Sequence, residues 1–158
     1  MDKSSIAIGT ILFVIFMFPI FYVLLNQKAR ERKFKSELNK LASENGLKID
    51  QFESFGHLSL GLDSNNKKLL VIETDSKIAH RLIDLNHVKQ VHLEKKTLKA
   101  GASKERIVHL GLEIFNKNSS EATEILFYDE DDYESTDADI RLNTARRWDE
   151  LIQKNLAS

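Results

Sequence analysis

The longest hydrophobic pattern lies at the start of the chain, where residues 6–25 form an apolar run without an ionisable side chain. A helix of about 20 residues spans roughly 30 Å, the thickness of the hydrocarbon core of a bilayer. A cleaved signal peptide has a shorter apolar core and a small-residue cleavage site, and the sequence shows neither. The run therefore predicts an uncleaved, single-pass transmembrane helix over residues 6–25, after a short flank over residues 1–5.

A basic cluster follows the apolar run directly. Five of its side chains are the candidates for contact with an anionic membrane surface: Lys28, Arg30, Arg32, Lys33 and Lys35. Because basic residues favour the cytoplasmic side, they predict an outward N-terminus and a cytoplasmic C-terminal domain. Residues 26–46 are predicted as a basic juxtamembrane helix that ends at Gly46. The expected location is the cell membrane.

From residue 47 onwards the pattern changes from helical to β. Residues 58–62 and 67–74 flank the turn-forming residues 63–66, which predicts a hairpin. Further strands are predicted over residues 78–85, 88–96 and 122–128, with a loop over residues 98–104. This spacing of short strands and turns predicts an antiparallel arrangement.

The clearest alternation lies between residues 108 and 114. A period of two places alternate side chains on opposite faces of a sheet. The predicted inward set is Val108, Leu110, Leu112 and Ile114, and the predicted outward set is His109, Gly111 and Glu113.

Residues 138–156 predict a C-terminal amphipathic helix. Ile140, Thr144, Trp148 and Ile152 recur every four residues and share one face. Trp148 and Ile152 are expected to bury this face against the strands. Residues 47–158 are therefore expected to form one mainly β domain of six or seven strands.

The opening hairpin (residues 58–74) and the closing helix with its inward tryptophan (residues 138–156) together resemble a pleckstrin-homology-like (PH-like) domain. That resemblance implies an antiparallel β-sandwich or barrel capped by the C-terminal helix. The chain also resembles uncharacterised bacterial single-pass membrane proteins with a C-terminal PH-like domain. Classical PH domains bind phosphoinositides through basic residues near the first hairpin loop, where this chain has Lys67 and Lys68 beside Asp63.

Charge and composition narrow the function classes. Residues 26–48 carry seven basic and three acidic side chains, whereas residues 49–158 carry fifteen basic and twenty acidic ones. An acidic domain is a poor nucleic-acid binder, because that affinity depends on phosphate neutralisation. The absence of cysteine excludes disulfides, thiol catalysis and thiolate metal sites.

No motif in the sequence predicts catalysis, a cofactor or a metal. The histidines, His57, His80, His87, His92 and His109, lack zinc-ligand spacing and are predicted as surface residues. The acidic stretch over residues 129–139 lacks the central glycine and final glutamate of a calcium-binding EF-hand loop. The P-loop, dinucleotide-binding and nucleophile-elbow motifs are absent.

These observations predict a membrane-anchored, non-catalytic interaction or scaffold module of unknown partner, for which a protein is the candidate. The alternative is a lipid-binding module that uses the basic juxtamembrane helix. An enzyme whose site is assembled only in three dimensions is the third hypothesis. No nucleic acid and no small-molecule substrate is indicated.

Overall fold

A computed structural model describes residues 3–74, 78–99, 105–119, 121–131 and 137–156. Within the N-terminal helix, side chains are described for residues 12–23, 25, 32 and 34–44. The chain divides into two compact units, Met1–Glu37 and Leu38–Ser158.

The first unit belongs to one long helix, α1 (Lys3–Glu44), which continues through Pro19 and ends in the second unit. The large apolar side chains described between Leu12 and Leu25 are mostly exposed. The segments expected over residues 6–25 and 26–46 are continuous in this one helix, which ends at Glu44.

The prediction of a transmembrane helix over residues 6–25 is corrected by the structure. In the part of the chain that is described, no helix combines the length and the apolar character needed to cross a membrane. The single-pass assignment and the flanking-charge argument for orientation depended on that span.

In the described residues, seven strands follow in two antiparallel sheets. Sheet A has the order β1-β2-β3-β4, with β1 (Gln51–Phe55), β2 (Leu58–Asp63), β3 (Lys68–Thr74) and β4 (Ile78–Asp84). Sheet B has the order β5-β6-β7, with β5 (Val88–Lys99), β6 (Glu105–Asn116) and β7 (Ala122–Asp129). A short 3-10 helix, Leu85–His87, joins the sheets, and α2 (Ala138–Asn155) closes the chain. The mainly β character and the antiparallel sheets agree with the sequence analysis.

The predicted hairpin over residues 58–74 is formed by β2 and β3. Its turn is held by Asp63, which is fully buried and accepts hydrogen bonds from the backbone and side-chain amides of Asn66 at 2.9 and 2.7 Å. A third bond comes from the Lys48 backbone N–H at 2.7 Å. Burial acts to raise the pKa of Asp63, but these hydrogen bonds outweigh it and hold the pKa below its ordinary value.

The main core lies between the sheets and α2. It takes Leu60, Val71, Leu112 and Phe127 from the strands and Trp148 from α2, all almost completely buried. Trp148 also donates from Nε1 to Glu53 Oε2 at 2.7 Å, so its polar atom is satisfied inside the core. The predicted burial of Trp148 and Ile152 is confirmed.

A second, smaller core covers the other face of sheet A. Leu38, in the last turns of α1, is fully buried with Leu70 and Ile72. A Cβ at Gly61 would lie 3.0 Å from both methyl carbons of Leu38, so glycine permits this close approach.

The alternation in β6 is interrupted by a register shift. Lys96 pairs with His109 but Thr97 pairs with Ile107, which leaves Val108 as an extra residue. The predicted inward position of Val108 is therefore wrong: Ile107 is buried, whereas Val108 is half-buried. β5 also extends to Lys99, into the loop expected from residue 98, while residues 100–104 lie outside the described residues.

Candidate functional site

The predicted membrane-surface residues are only partly described. All five belong to α1. Arg32 and Lys35 are exposed, whereas the side chains of Lys28, Arg30 and Lys33 lie outside the described residues. The acidic stretch is likewise interrupted, since residues 132–136 are not described. Neither group forms a site in the part of the chain that the structure describes.

The histidines occupy different environments. His80, His87 and His92 are exposed, in agreement with the sequence analysis, but His57 is buried. His109 is 18% exposed and lies among carboxylates on the outer face of sheet B. This half-buried position distinguishes His109 from the three exposed histidines.

The strand registers bring polar residues together around Gly111. Directly opposite residues of antiparallel strands share a face, so Gly111 lies between Glu94 of β5 and Leu126 of β7. Two residues further along β6, on the same face, Glu113 lies opposite Glu124 of β7. Two residues in the other direction, His109 lies opposite Asp129. Apart from Leu126, the residues that surround Gly111 on this outer face are polar: Glu94, Glu113, Glu124, His109 and Asp129.

Glu94, His109 and Glu124 are the three side chains that converge, and they are called the Gly111 cluster here. His109 Nε2 lies 2.6 Å from Glu124 Oε1 and 3.6 Å from Glu94 Oε2. One donor atom from each residue lies within 4.8 Å of those of the other two. The cluster therefore presents an imidazole nitrogen and two carboxylates to one point. Sequence reasoning assigned His109 to this face but missed Glu94 and Glu124, which come from other strands.

A second candidate is the open edge of β4. In the described structure β4 pairs with β3 alone, so its other side has no strand partner. A groove of about 620 Å³ runs beside this edge. Sheet A contributes residues 81–84 to it, and the lining from sheet B and its turn comprises Asn116, Asn118, Ser119 and Thr123.

Two β4 side chains define the character of this edge. Arg81 pairs with Glu73 and donates from Nη2 to the backbone carbonyl of Glu124 at 3.0 Å, which links β4 to β7. Leu82 faces the other side of the sheet and is 39% exposed. The edge therefore offers unpaired backbone groups beside a partly exposed apolar side chain.

Asp84 gives the end of this groove a negative charge. Burial acts to raise its pKa, but the backbone and side-chain amides of Asn86 donate to Oδ1 at 3.0 and 2.9 Å. With the nearby charges of His87 and Lys68, they hold the pKa of Asp84 below its ordinary value. Asp84 is therefore ionised at neutral pH.

The groove beside the C-terminal helix is smaller, about 390 Å³, and lies between β1 and α2. The Glu53 side chain spans this groove, where it forms an ion pair with Arg147 and accepts a hydrogen bond from Trp148 Nε1. A ligand at this position would have to compete with both contacts.

Comparison with known proteins assigns no family to this chain. The PH-like resemblance accordingly remains a prediction, and the function has to be inferred from the residues themselves. No family model, no curated protein and no solved structure matches the chain.

Proposed function

We propose that this chain is a protein-interaction module that accepts an extended peptide segment as an additional strand on β4. The observation that supports this most directly is the unpaired edge of β4 beside the groove of about 620 Å³. Addition of a strand to a sheet edge supplies affinity through backbone hydrogen bonds and specificity through alternate side chains.

The side chains of β4 indicate the kind of peptide. A strand added to this edge would have alternate residues beside Leu82 on one face and beside Ile83 on the other. Full burial of a leucine side chain contributes about 1.5–3 kcal/mol. Covering the 39% of Leu82 that is exposed is then worth about 1 kcal/mol, or roughly fivefold in affinity. The favoured peptide is extended and carries an apolar residue in register with Leu82.

The test is selection of binding peptides from a random displayed library by the immobilised full chain. Selected peptides are then titrated against the wild type, Leu82→Lys and the matched control Leu98→Lys. Leu98 lies in sheet B and is 56% exposed, so the control introduces the same charge at an exposed leucine away from the β4 edge.

We expect extended, apolar-containing peptides whose affinity falls at least fivefold with Leu82→Lys and stays within twofold with Leu98→Lys. Selected peptides that bind both variants equally well, or a library from which none is enriched, would contradict the proposal. The lipid-binding alternative and the absence of catalysis remain predictions from the sequence.

A further inference from the structure

The Gly111 cluster has the donor set of a cation site. Imidazole nitrogen and carboxylate oxygen are ligands of Zn²⁺ and related divalent ions, which bind them at about 2.0–2.2 Å. Donors held around one such ion lie roughly 3–3.5 Å apart, given those bond lengths. The separations of 2.6 and 3.6 Å between His109 Nε2 and the two glutamates bracket that range. Small side-chain rotations therefore suffice to place an ion among the three residues.

Gly111 supplies an independent observation, because its missing side chain provides the space that the cluster occupies. A Cβ at this position would lie 2.2 Å from Glu124 Oε1 and 3.0 Å from Glu124 Cδ and Cγ. Glu124 therefore reaches across the strand to His109 only because residue 111 is glycine. Glycine in the middle of a strand costs about 0.5–1 kcal/mol relative to alanine, and at this position it leaves the space that Glu124 occupies.

The surroundings of the cluster also suit a metal ligand. His109 Nδ1 faces Asp129 Oδ2 at 3.6 Å, on the side of the ring away from Glu94 and Glu124. A carboxylate on the second ring nitrogen commonly orients a histidine ligand. Lys96 Nζ lies 3.2 Å from Glu94 Oε1, so one oxygen of Glu94 has a partner while Oε2 faces His109.

We propose that Glu94, His109 and Glu124 form a binding site for one divalent transition-metal ion of the zinc class. His109 Nε2, Glu94 Oε2 and Glu124 Oε1 are its protein ligands. The ion replaces the hydrogen bond between His109 Nε2 and Glu124 Oε1, and any proton on Nε2 is released to solvent. Three protein ligands leave at least one position for water or an external ligand. Glu124 is exposed, so the ion can reach the site from solvent. None of the three ligands lines the groove beside β4, although Arg81 of β4 donates to the backbone carbonyl of Glu124.

The test is calorimetric titration of the chelator-treated full chain with Zn²⁺. The wild type is compared with Gly111→Ala, which removes no donor atom, and with His109→Gln, which removes the nitrogen ligand. The control is His80→Gln, because His80 is an exposed histidine in sheet A, remote in sequence from the cluster. Unfolding in urea verifies that each variant is folded.

We expect the wild type to bind one Zn²⁺ ion with micromolar or tighter affinity. Gly111→Ala and His109→Gln should each weaken binding at least tenfold, and His80→Gln should change it less than twofold. Failure of the folded wild type to bind zinc, or unchanged binding by Gly111→Ala, would overturn the proposal. If Gly111→Ala does not fold, Glu124→Gln replaces it, with the same tenfold loss expected and unchanged binding again contradicting the site.

Discussion

Truncation of Leu38 tests whether the last turns of α1 are part of the second compact unit. Leu38 is fully buried and shares a small core with Leu70 and Ile72 of sheet A. Leu38→Ala removes three carbon atoms, and at about 0.8 kcal/mol each this corresponds to roughly 2.4 kcal/mol of lost burial. The close contact with Gly61 limits collapse of the resulting space, so a residual cavity adds to that loss.

The expected total is about 3 kcal/mol in the free energy of unfolding, within the range of about 2–5 kcal/mol for buried leucines. Urea slopes for small domains are about 1–3 kcal/mol per molar, so the midpoint should fall by roughly 1–3 M. The assay is urea unfolding of the full chain, followed by the fluorescence of the single tryptophan, Trp148, which is 1% exposed.

Leu98→Ala is the matched control, because Leu98 is exposed and its truncation should cost less than about 0.5 kcal/mol. A midpoint for Leu38→Ala equal to that of the control would refute the packing of Leu38 on sheet A. It would also refute the assignment of the end of α1 to the second unit.

Three further predictions concern polar groups in the second unit. Glu53→Ala removes the acceptor of Trp148 Nε1, so we expect a loss of about 1–3 kcal/mol in urea unfolding, and equal stability of variant and wild type would contradict that role. Asp63→Ala leaves the backbone N–H groups of Lys48 and Asn66 without their acceptor and should cost about 2–3 kcal/mol in the same assay, with Asp63→Asn less damaging. Because the pKa of Asp63 is lowered in the folded chain, its charge stabilises the protein fully above the ordinary carboxyl pKa of about 3.9, and this contribution disappears as the pH falls through the lower folded value. Asp63→Ala should therefore show a smaller loss of stability between pH 5 and pH 2, measured as urea midpoints, and an unchanged acid dependence would count against it.

Local patterns predicted the secondary structure of the second unit well. The turn residues between two apolar stretches produced the β2–β3 hairpin, and apolar residues four apart produced α2 with Trp148 and Ile152 buried. Both features depend on interactions between near neighbours in the chain, which periodicity detects directly.

The first part of the chain was predicted less well. The hydropathy of residues 6–25 indicated a membrane span, whereas no helix in the described part of the chain is long and apolar enough to cross a membrane. Its last turns pack on sheet A through Leu38, and that contact requires the absence of a side chain at Gly61. The spacing of Phe34, Leu38 and Leu41 predicts one apolar helix face that packs on the domain, and the burial of Leu38 agrees with it. The position of Gly61 opposite Leu38 could not be predicted from periodicity.

The Gly111 cluster could not be predicted for a similar reason. Glu94, His109 and Glu124 lie on three strands, and only the exact registers of β5, β6 and β7 bring them together. Because Val108 is an extra residue in β6, Ile107 and not Val108 takes the inward position, so simple alternation fails on the N-terminal side of His109. The outward set of His109, Gly111 and Glu113 was the one sequence signal of this cluster, because it placed a glycine between two polar residues on the same face.

The open edge of β4 is the central claim about function, and residue-resolved hydrogen exchange tests it most directly. Amide exchange in the full chain is measured by NMR with and without a peptide selected from the library. An added strand should slow exchange at alternate β4 amides, those that point away from β3, and leave the free edge of β1 unchanged. Slowed exchange at β1 or α2 with no change in β4 would contradict the account.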